Sequence, residues 1–194
     1  MTDLVATKEM CYYCFDTLAN HFENKKPFKL DTKKYKAPLF VTWKKEKGSK
    51  WKLRGCKGTF SPKKLSEGLS EISINSAFRD RRFQPIKQKE IKKLRCHINL
   101  LTNFENGDNY LDWEPGVHGI RIYLKNHRAT YLPDVSINHF QGDKEETIQH
   151  LIKKAGIKKT INQKLKNQIV LERYQSSKNS CTYQEYIEYI NSKK

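Results

Sequence analysis

The chain has 194 residues, which suffices for one ordinary domain whose core needs no metal or disulfide to hold it together. Hydrophobic residues make up 37% of it, which excludes a disordered chain, and no apolar run reaches the length that spans a membrane. The formal net charge of +17 favours phosphate backbones and acidic proteins as macromolecular partners.

The first elements in chain order are a helix and a β-hairpin. Apolar residues recur every four positions from Met10 to Phe22, which is the pattern of an amphipathic helix. Two further apolar segments, 39–43 and 51–60, flank the turn Glu46-Lys47-Gly48-Ser49. This arrangement predicts two antiparallel strands joined by that turn.

The middle of the chain mixes short helices and strands. Ser61 and Pro62 are typical of a helix cap and a first helical position, and they predict a helix that ends near Arg79. A short polar helix over 87–94 and a strand over 96–101 are predicted to follow.

The second half contains the clearest helix of the chain. Glu145 and Glu146 stand near the start of segment 143–155 and lysines near its end, in agreement with the helix dipole. Thr182 and Glu185 form a capping box that opens a further helix. The other predicted elements are a polar loop over 103–116, a hairpin over 119–124 and 129–132 that Pro133 ends, and a strand over 169–174.

The order of these elements predicts the fold class. Strands pair as local hairpins, and helices are interspersed without strict alternation. This pattern indicates an α+β fold, with an antiparallel or mixed sheet and flanking helices, rather than a doubly wound parallel sheet.

The five cysteines favour an intracellular protein. They are scattered and odd in number, and no hydrophobic leader follows Met1. Both features predict reduced thiols and a location in the cytosol or the nucleus. Cys11 and Cys14 have the two-residue spacing of zinc ligands, but no second pair stands at a matching distance. We therefore interpret them as core residues on one helix face, and predict no metal and no cofactor.

The segment Leu53-Arg54-Gly55-Cys56-Lys57-Gly58 is the strongest candidate for a site. In an extended strand Arg54 and Cys56 share a face, where the guanidinium would bind an anion and stabilise a thiolate. Glycine weakens a strand and marks a close backbone approach, so Gly55 and Gly58 favour a ligand site. The alternative is that Cys56 is buried and behaves as a small hydrophobic residue.

His118 is a candidate acid or base. It lies on a glycine-flanked loop, with Asp112 and Glu114 shortly before it, and a carboxylate could orient its ring. A cysteine and a histidine need only be close in space to form a nucleophilic pair, so His118 is a candidate partner of Cys56. The alternative is a turn histidine bonded to the backbone.

A second charged group follows the predicted second helix. Arg82 could join Arg54 in clamping a carboxylate or phosphate, with Asp80 and Phe83 beside it. The structural alternative is that Asp80 pairs with an arginine and that Phe83 enters the core.

The segment Lys25–Lys57 is the most basic part of the chain. Asp31 and Glu46 are its only acidic residues, and aromatic residues are interleaved with its lysines. Such a surface could bind nucleic acid or an acidic protein. The alternative is a solvated surface, because lysine greatly outnumbers arginine here and arginine dominates specific phosphate and base contacts.

Motifs along nearly the whole chain, in order, carry a family resemblance. They are Met10-Cys11-Tyr12-Tyr13-Cys14-Phe15-Asp16, Pro38-Leu39-Phe40-Val41-Thr42-Trp43, Leu53-Arg54-Gly55-Cys56-Lys57-Gly58, Asp80 with Arg82-Phe83 and Pro85, Leu100-Leu101-Thr102-Asn103-Phe104-Glu105, Tyr110-Leu111-Asp112-Trp113-Glu114, Gly116-Val117-His118-Gly119-Ile120-Arg121 and Ala129-Thr130-Tyr131-Leu132-Pro133. With them the chain resembles the AMMECR domain family, in its eukaryotic form.

The resemblance implies a two-part α/β architecture with a cleft between the parts. It implies no reaction, because no biochemical activity is established for the family. We expect one such domain over 1–194, with a larger part from both termini and a smaller part around 55–115. Lys57 departs from the family hallmark, which has Ile there, so this position should lie at an edge or keep its charged head in water.

These observations combine into one functional prediction. We expect an intracellular protein with a ligand-binding cleft centred on 54–58, for an unknown small molecule or an acidic or anionic partner, and the sequence leaves open whether this cleft is also catalytic. The alternative is a basic module that binds nucleic acid through Lys25–Lys57, or another protein, without catalysis. No membrane association is predicted. The predicted catalytic residues are Cys56 and His118, and the predicted ligand-binding residues are Arg54, Gly55, Gly58, Asp80, Arg82, Phe83 and Glu114.

Overall fold

The computed structural model describes residues 4–32, 35–158 and 161–193. Its elements, in chain order, are α1 (Lys8–Glu23), β1 (Lys36–Lys47), β2 (Lys50–Lys64), α2 (Leu65–Phe78), a 3₁₀ helix (Gln88–Lys93), β3 (Leu94–Asn106), β4 (Gly119–Leu124), β5 (His127–Tyr131), α3 (Pro133–Phe140), α4 (Lys144–Lys154), α5 (Gln163–Lys166), β6 (Val170–Thr182) and α6 (Tyr183–Ser192). The strands follow the order β2-β1-β3-β6-β4-β5. Antiparallel strands with flanking helices confirm the predicted α+β fold.

The described residues form two compact units. The first combines Met1–Leu100 with Ser177–Lys194, and the second is Leu101–Ser176. Segment 55–115, where the sequence prediction puts the smaller part, is divided between them. Within the described residues, no helix is both long enough and apolar enough to cross a bilayer.

The core of the first unit lies between its helices and one face of the strands β2, β1 and β3. Trp43 of β1 is fully buried, and its indole Nε1 donates a hydrogen bond to the carbonyl oxygen of Ser73 in α2 at 3.0 Å. Phe15 of α1 packs edge-on against Trp43, with ring centroids 5.0 Å apart, and stacks on Tyr186 of α6 at 5.6 Å. The aromatic cluster therefore joins α1, β1 and α6 in one core.

The second unit has a separate core, in which β4 is the central strand. It pairs antiparallel with β5 and β6. Ile120 and Ile122 of β4 are buried together with Ile148 and Leu151 of α4. Asp143 caps α4 by accepting a hydrogen bond from the backbone of Glu146, so the predicted start of this helix is confirmed.

The prediction that Ser61 and Pro62 begin a helix is wrong. Strand β2 continues to Lys64, because its last residues pair with the first residues of β1, and α2 begins only at Leu65. Pro133 ends β5 as predicted, but it also occupies the first turn of α3, which the sequence analysis did not predict. Strand β6 runs to Thr182, well beyond its predicted end, and the capping box there is confirmed.

Candidate functional site

The first unit has two contrasting sheet faces. On β1 and β3 alternate residues are buried against the helices, whereas the residues between them are only half-buried. We call the side of β2, β1 and β3 that points away from these helices the polar face. It carries Thr42, Cys56, Arg95, His97 and Asn99.

Three of these side chains form a row across the sheet. Thr42 of β1 is paired with Cys56 of β2 on one side and with His97 of β3 on the other. The Thr42 hydroxyl donates a hydrogen bond to the Cys56 sulfur at 3.1 Å. Cys56 and His97 are separated by two strand spacings, roughly 10 Å. The register therefore brings a thiol, a hydroxyl and an imidazole onto one face.

The backbone N–H and the backbone carbonyl oxygen of Cys56 both have side-chain partners. Its backbone N–H donates to Asp80 Oδ2 at 2.9 Å, and Arg82 Nη2 lies 3.5 Å from its carbonyl oxygen. Cys56 itself is half-buried. The position that the sequence analysis singled out is thus a fixed and partly accessible thiol.

Asp80 and Arg82 form a paired unit beside Cys56. Arg82 donates from Nε to Oδ1 at 3.0 Å and from Nη2 to Oδ2 at 2.7 Å, and these bonds hold the pKa of Asp80 well below its usual range. Asp80 is buried, whereas the Arg82 side chain is 58% exposed and stacks over the half-buried ring of Phe83 at 5.5 Å. The pairing of Asp80 with an arginine agrees with the structural alternative. Phe83 does not enter the core, and Ile86 is buried there instead.

All three guanidinium nitrogens of Arg54 donate hydrogen bonds to other residues of the protein. Its Nε and Nη2 donate to the two carboxylate oxygens of Glu90 at 3.1 and 3.0 Å. Its Nη1 and Nη2 also donate to the carbonyl oxygens of Gln84 and Pro85. Burial raises the pKa of Glu90, but the hydrogen bonds from Arg54 and Lys45 outweigh burial and hold that pKa at about 2. Arg54 therefore fixes the loop before the 3₁₀ helix.

The two glycines of this segment have packing roles. A Cβ on Gly55 would lie 2.1 Å from the carbonyl oxygen of Ser76, so β2 approaches α2 more closely there than any other residue type permits. A Cβ on Gly58 would overlap the ring of Phe40. Lys57 is exposed on β2, the strand at one end of the sheet, which agrees with the expected edge position.

His118 and Glu114 belong to the second unit. The ring Nδ1 of His118 accepts a hydrogen bond from the backbone N–H of Glu114 at 2.9 Å, as in the turn alternative. Burial, and then the charge of Arg173, lower the pKa of His118. The Glu114 carboxylate is exposed, with Lys144 at 3.7 Å. The catalytic role of His118 and the ligand role of Glu114 remain predictions.

His97, Arg95 and Thr42 are site residues that the sequence analysis missed. Their signal is the alternation of Arg95, His97 and Asn99 with apolar neighbours in β3, since alternate residues of a strand share one face. Cys11 and Cys14 are fully buried, which confirms their interpretation as core residues. Over the described ranges, no three His, Cys, Asp or Glu side chains are grouped as metal ligands.

Comparisons with known proteins agree with these motifs. The AMMECR1 family model matches residues 11–179. An uncharacterised protein of Arabidopsis thaliana is 41% identical over 194 residues, covering 96% of this chain and 90% of its own length. An uncharacterised protein of Schizosaccharomyces pombe is 41% identical over 187 residues, covering 93% of this chain and 95% of its own length.

A solved structure shares the fold. The crystal structure of an uncharacterised protein from Pyrococcus horikoshii has a TM-score of 0.71, with 91% of this chain and 93% of that chain covered and 20% sequence identity. The family match spans most of the chain, and the two curated relatives exceed the similarity at which homology is secure. The chain therefore belongs to the AMMECR1 family.

Proposed function

We propose that the polar face around Cys56 binds a small anionic ligand and presents the Cys56 thiol to it. The observation that carries this proposal is that Cys56 is half-buried, whereas the other four cysteines are buried. A ligand can therefore reach Cys56 without opening the core. The buried cysteines are Cys11, Cys14, Cys96 and Cys181.

The groups around Cys56 support an anionic ligand. Arg82 uses its Nε and Nη2 for Asp80, so its Nη1 edge remains for a carboxylate or phosphate oxygen. The ion pair with Asp80 also fixes the guanidinium next to the Cys56 backbone. The Thr42 hydroxyl donates a hydrogen bond to the sulfur, and this bond helps to orient the thiol on the polar face.

Alkylation of the native protein tests this proposal. Neutral iodoacetamide and anionic iodoacetate are compared, and peptide mapping reports the rate at each cysteine. We expect Cys56 to react first, with a preference for iodoacetate that falls about threefold or more in Arg82→Gln. Arg81→Gln is the matched control, because Arg81 is the exposed neighbour of Arg82.

Two results would contradict the proposal. One is a Cys56 that reacts no faster than the buried cysteines, and the other is an iodoacetate preference that Arg82→Gln leaves unchanged. A binding module without thiol chemistry is the competing function. It predicts an affinity for duplex DNA that falls steeply as salt rises, together with an unreactive Cys56.

A further inference from the structure

A cavity in the first unit has Arg95 and His97 of β3 in its lining. Its volume is about 440 Å³, within the range of small-molecule sites. Residues of α1, β3, β6 and α6 line it. They are Lys8, Arg95, His97, Lys178, Asn179, Ser180 and Glu185.

Two of the lining side chains each have a buried nitrogen that no described residue pairs. These atoms are Arg95 Nε and His97 Nε2, and neither has a hydrogen-bond partner within the described part of the chain. Buried polar nitrogens in native proteins are almost always paired, because an unpaired one loses its hydration without compensation. A ligand oxygen in the cavity would supply the missing acceptor.

The charges around the cavity favour an anion. Among the described lining residues, Lys8 contacts the carboxylate of Glu185, and the Arg95 guanidinium adds a further cation beside His97. The Arg95 guanidinium lies over the ring of Trp51, 4.8 Å from its centroid, and this stacking restricts its orientation.

His97 lies in the same positive field. Burial, and then the charges of Lys44 and Arg95, lower its pKa to about 4. The ring is therefore neutral at physiological pH, and in the tautomer with the proton on Nε2 it donates a hydrogen bond. A neutral donor beside a fixed guanidinium suits an oxyanion.

We infer that this cavity binds a phosphate-bearing small molecule, with its phosphate oxygens bonded to Arg95 and His97. These residues lie two positions apart on one face of the strand, and a phosphate offers them more acceptor oxygens and more negative charge than a carboxylate does. The cavity is far larger than a phosphate ion, so it also admits the organic part of a phosphate monoester. The inference goes beyond the proposed function and does not depend on the reactivity of Cys56.

Titration calorimetry with inorganic phosphate tests the inference, with sodium chloride at matched ionic strength as the reference. We expect saturable binding to the full chain, about tenfold or more weaker in Arg95→Gln and weaker in His97→Ala. Arg128→Gln, an exposed arginine of β5 in the second unit, is the matched control and should bind like the wild type. The ring signals of His97, followed by NMR, separate binding at this site from binding near Cys56.

NMR of the wild-type protein keeps the test decisive if a variant does not fold. We expect the ring signals of His97 to shift with phosphate at the calorimetric midpoint. Absence of saturable phosphate binding would overturn the inference. So would binding that leaves the His97 signals unmoved, or binding equally strong in folded Arg95→Gln and in the wild type.

Discussion

The bond between Arg54 and Glu90 allows a sharp test of what Arg54 does. Glu90 accepts hydrogen bonds from Arg54 on both oxygens and from Lys45 on one, and its side chain is only 11% exposed. Glu90→Gln keeps the shape of the side chain and removes its charge. If Arg54 is primarily a structural anchor, this substitution must destabilise the protein in the absence of any ligand.

The expected loss follows from the pKa of Glu90. A change from the ordinary 4.5 to about 2 corresponds to about 3 kcal/mol of folding free energy at neutral pH. Residual solvent exposure of the pair screens part of this, so we expect a loss of about 2 to 3 kcal/mol. For a chain of this length the melting temperature should fall by about 5 to 10 °C.

The pH dependence has a definite sign. The folded pKa of Glu90 is depressed, so its contribution is complete above the unfolded value of 4.5 and is lost as the pH falls from there towards 2. Urea unfolding of the wild type and Glu90→Gln at pH 7, 4 and 3 measures the difference directly. The difference in the free energy of unfolding between the wild type and Glu90→Gln should become smaller from pH 7 to pH 4 and again from pH 4 to pH 3.

The same substitution at Glu67 provides the control. Glu67 pairs with Lys64, and both side chains are more than half exposed, so Glu67→Gln should change the free energy of unfolding by less than about 1 kcal/mol. Equal unfolding midpoints for Glu90→Gln and Glu67→Gln at pH 7 would refute the anchoring role. If the difference in the free energy of unfolding between the wild type and Glu90→Gln stayed constant down to pH 3, the charge of Glu90 would not be the cause of that difference.

Two further predictions concern Gly55 and His118. Gly55→Ala places a Cβ against the carbonyl oxygen of Ser76 and should destabilise the protein by about 1 to 3 kcal/mol in thermal unfolding. Lys57→Ala is the control, because Lys57 is exposed and its substitution should leave the stability unchanged. Equal melting temperatures for the two variants would contradict the packing role of Gly55. The lowered pKa of His118 means that the wild type should lose stability as the pH falls below 6.5, because the unfolded chain then binds the proton more readily. His118→Asn keeps an acceptor for the Glu114 N–H and should remove this loss of stability. Melting curves of the wild type and His118→Asn at pH 7.5 and 5.5 measure the effect, and an equal change in melting temperature in both proteins would contradict the prediction.

Elements with strong local signals were predictable from the sequence. Helix α1 has a regular apolar stripe, and α4 and α6 have caps that act within one turn. Ser61 and Pro62 carried an equally good local signal for a helix, but pairing with β1 extends the strand through them. Tertiary pairing therefore decided the boundary against local preference.

The candidate site was predictable only in part, for the same reason. The neighbouring residues in the sequence suffice to identify Cys56 as a candidate. Neighbouring residues do not identify His97, because its position beside Thr42 depends on the register of β1 with two other strands. Gly55 and Gly58 suggest a ligand site in the sequence, because only the structure shows that Ser76 and Phe40 occupy the space where a Cβ on each glycine would lie.

The aromatic cluster that joins α1 to α6 also has a consequence for synthesis on the ribosome. The Tyr186 hydroxyl donates to Asp16 across 170 positions of sequence, at 2.7 Å. At translation rates of about 5 to 20 residues per second, α1 emerges roughly 10 to 30 s before its partner helix. Throughout that interval the apolar side of α1 lacks the part of its cover that α6 supplies.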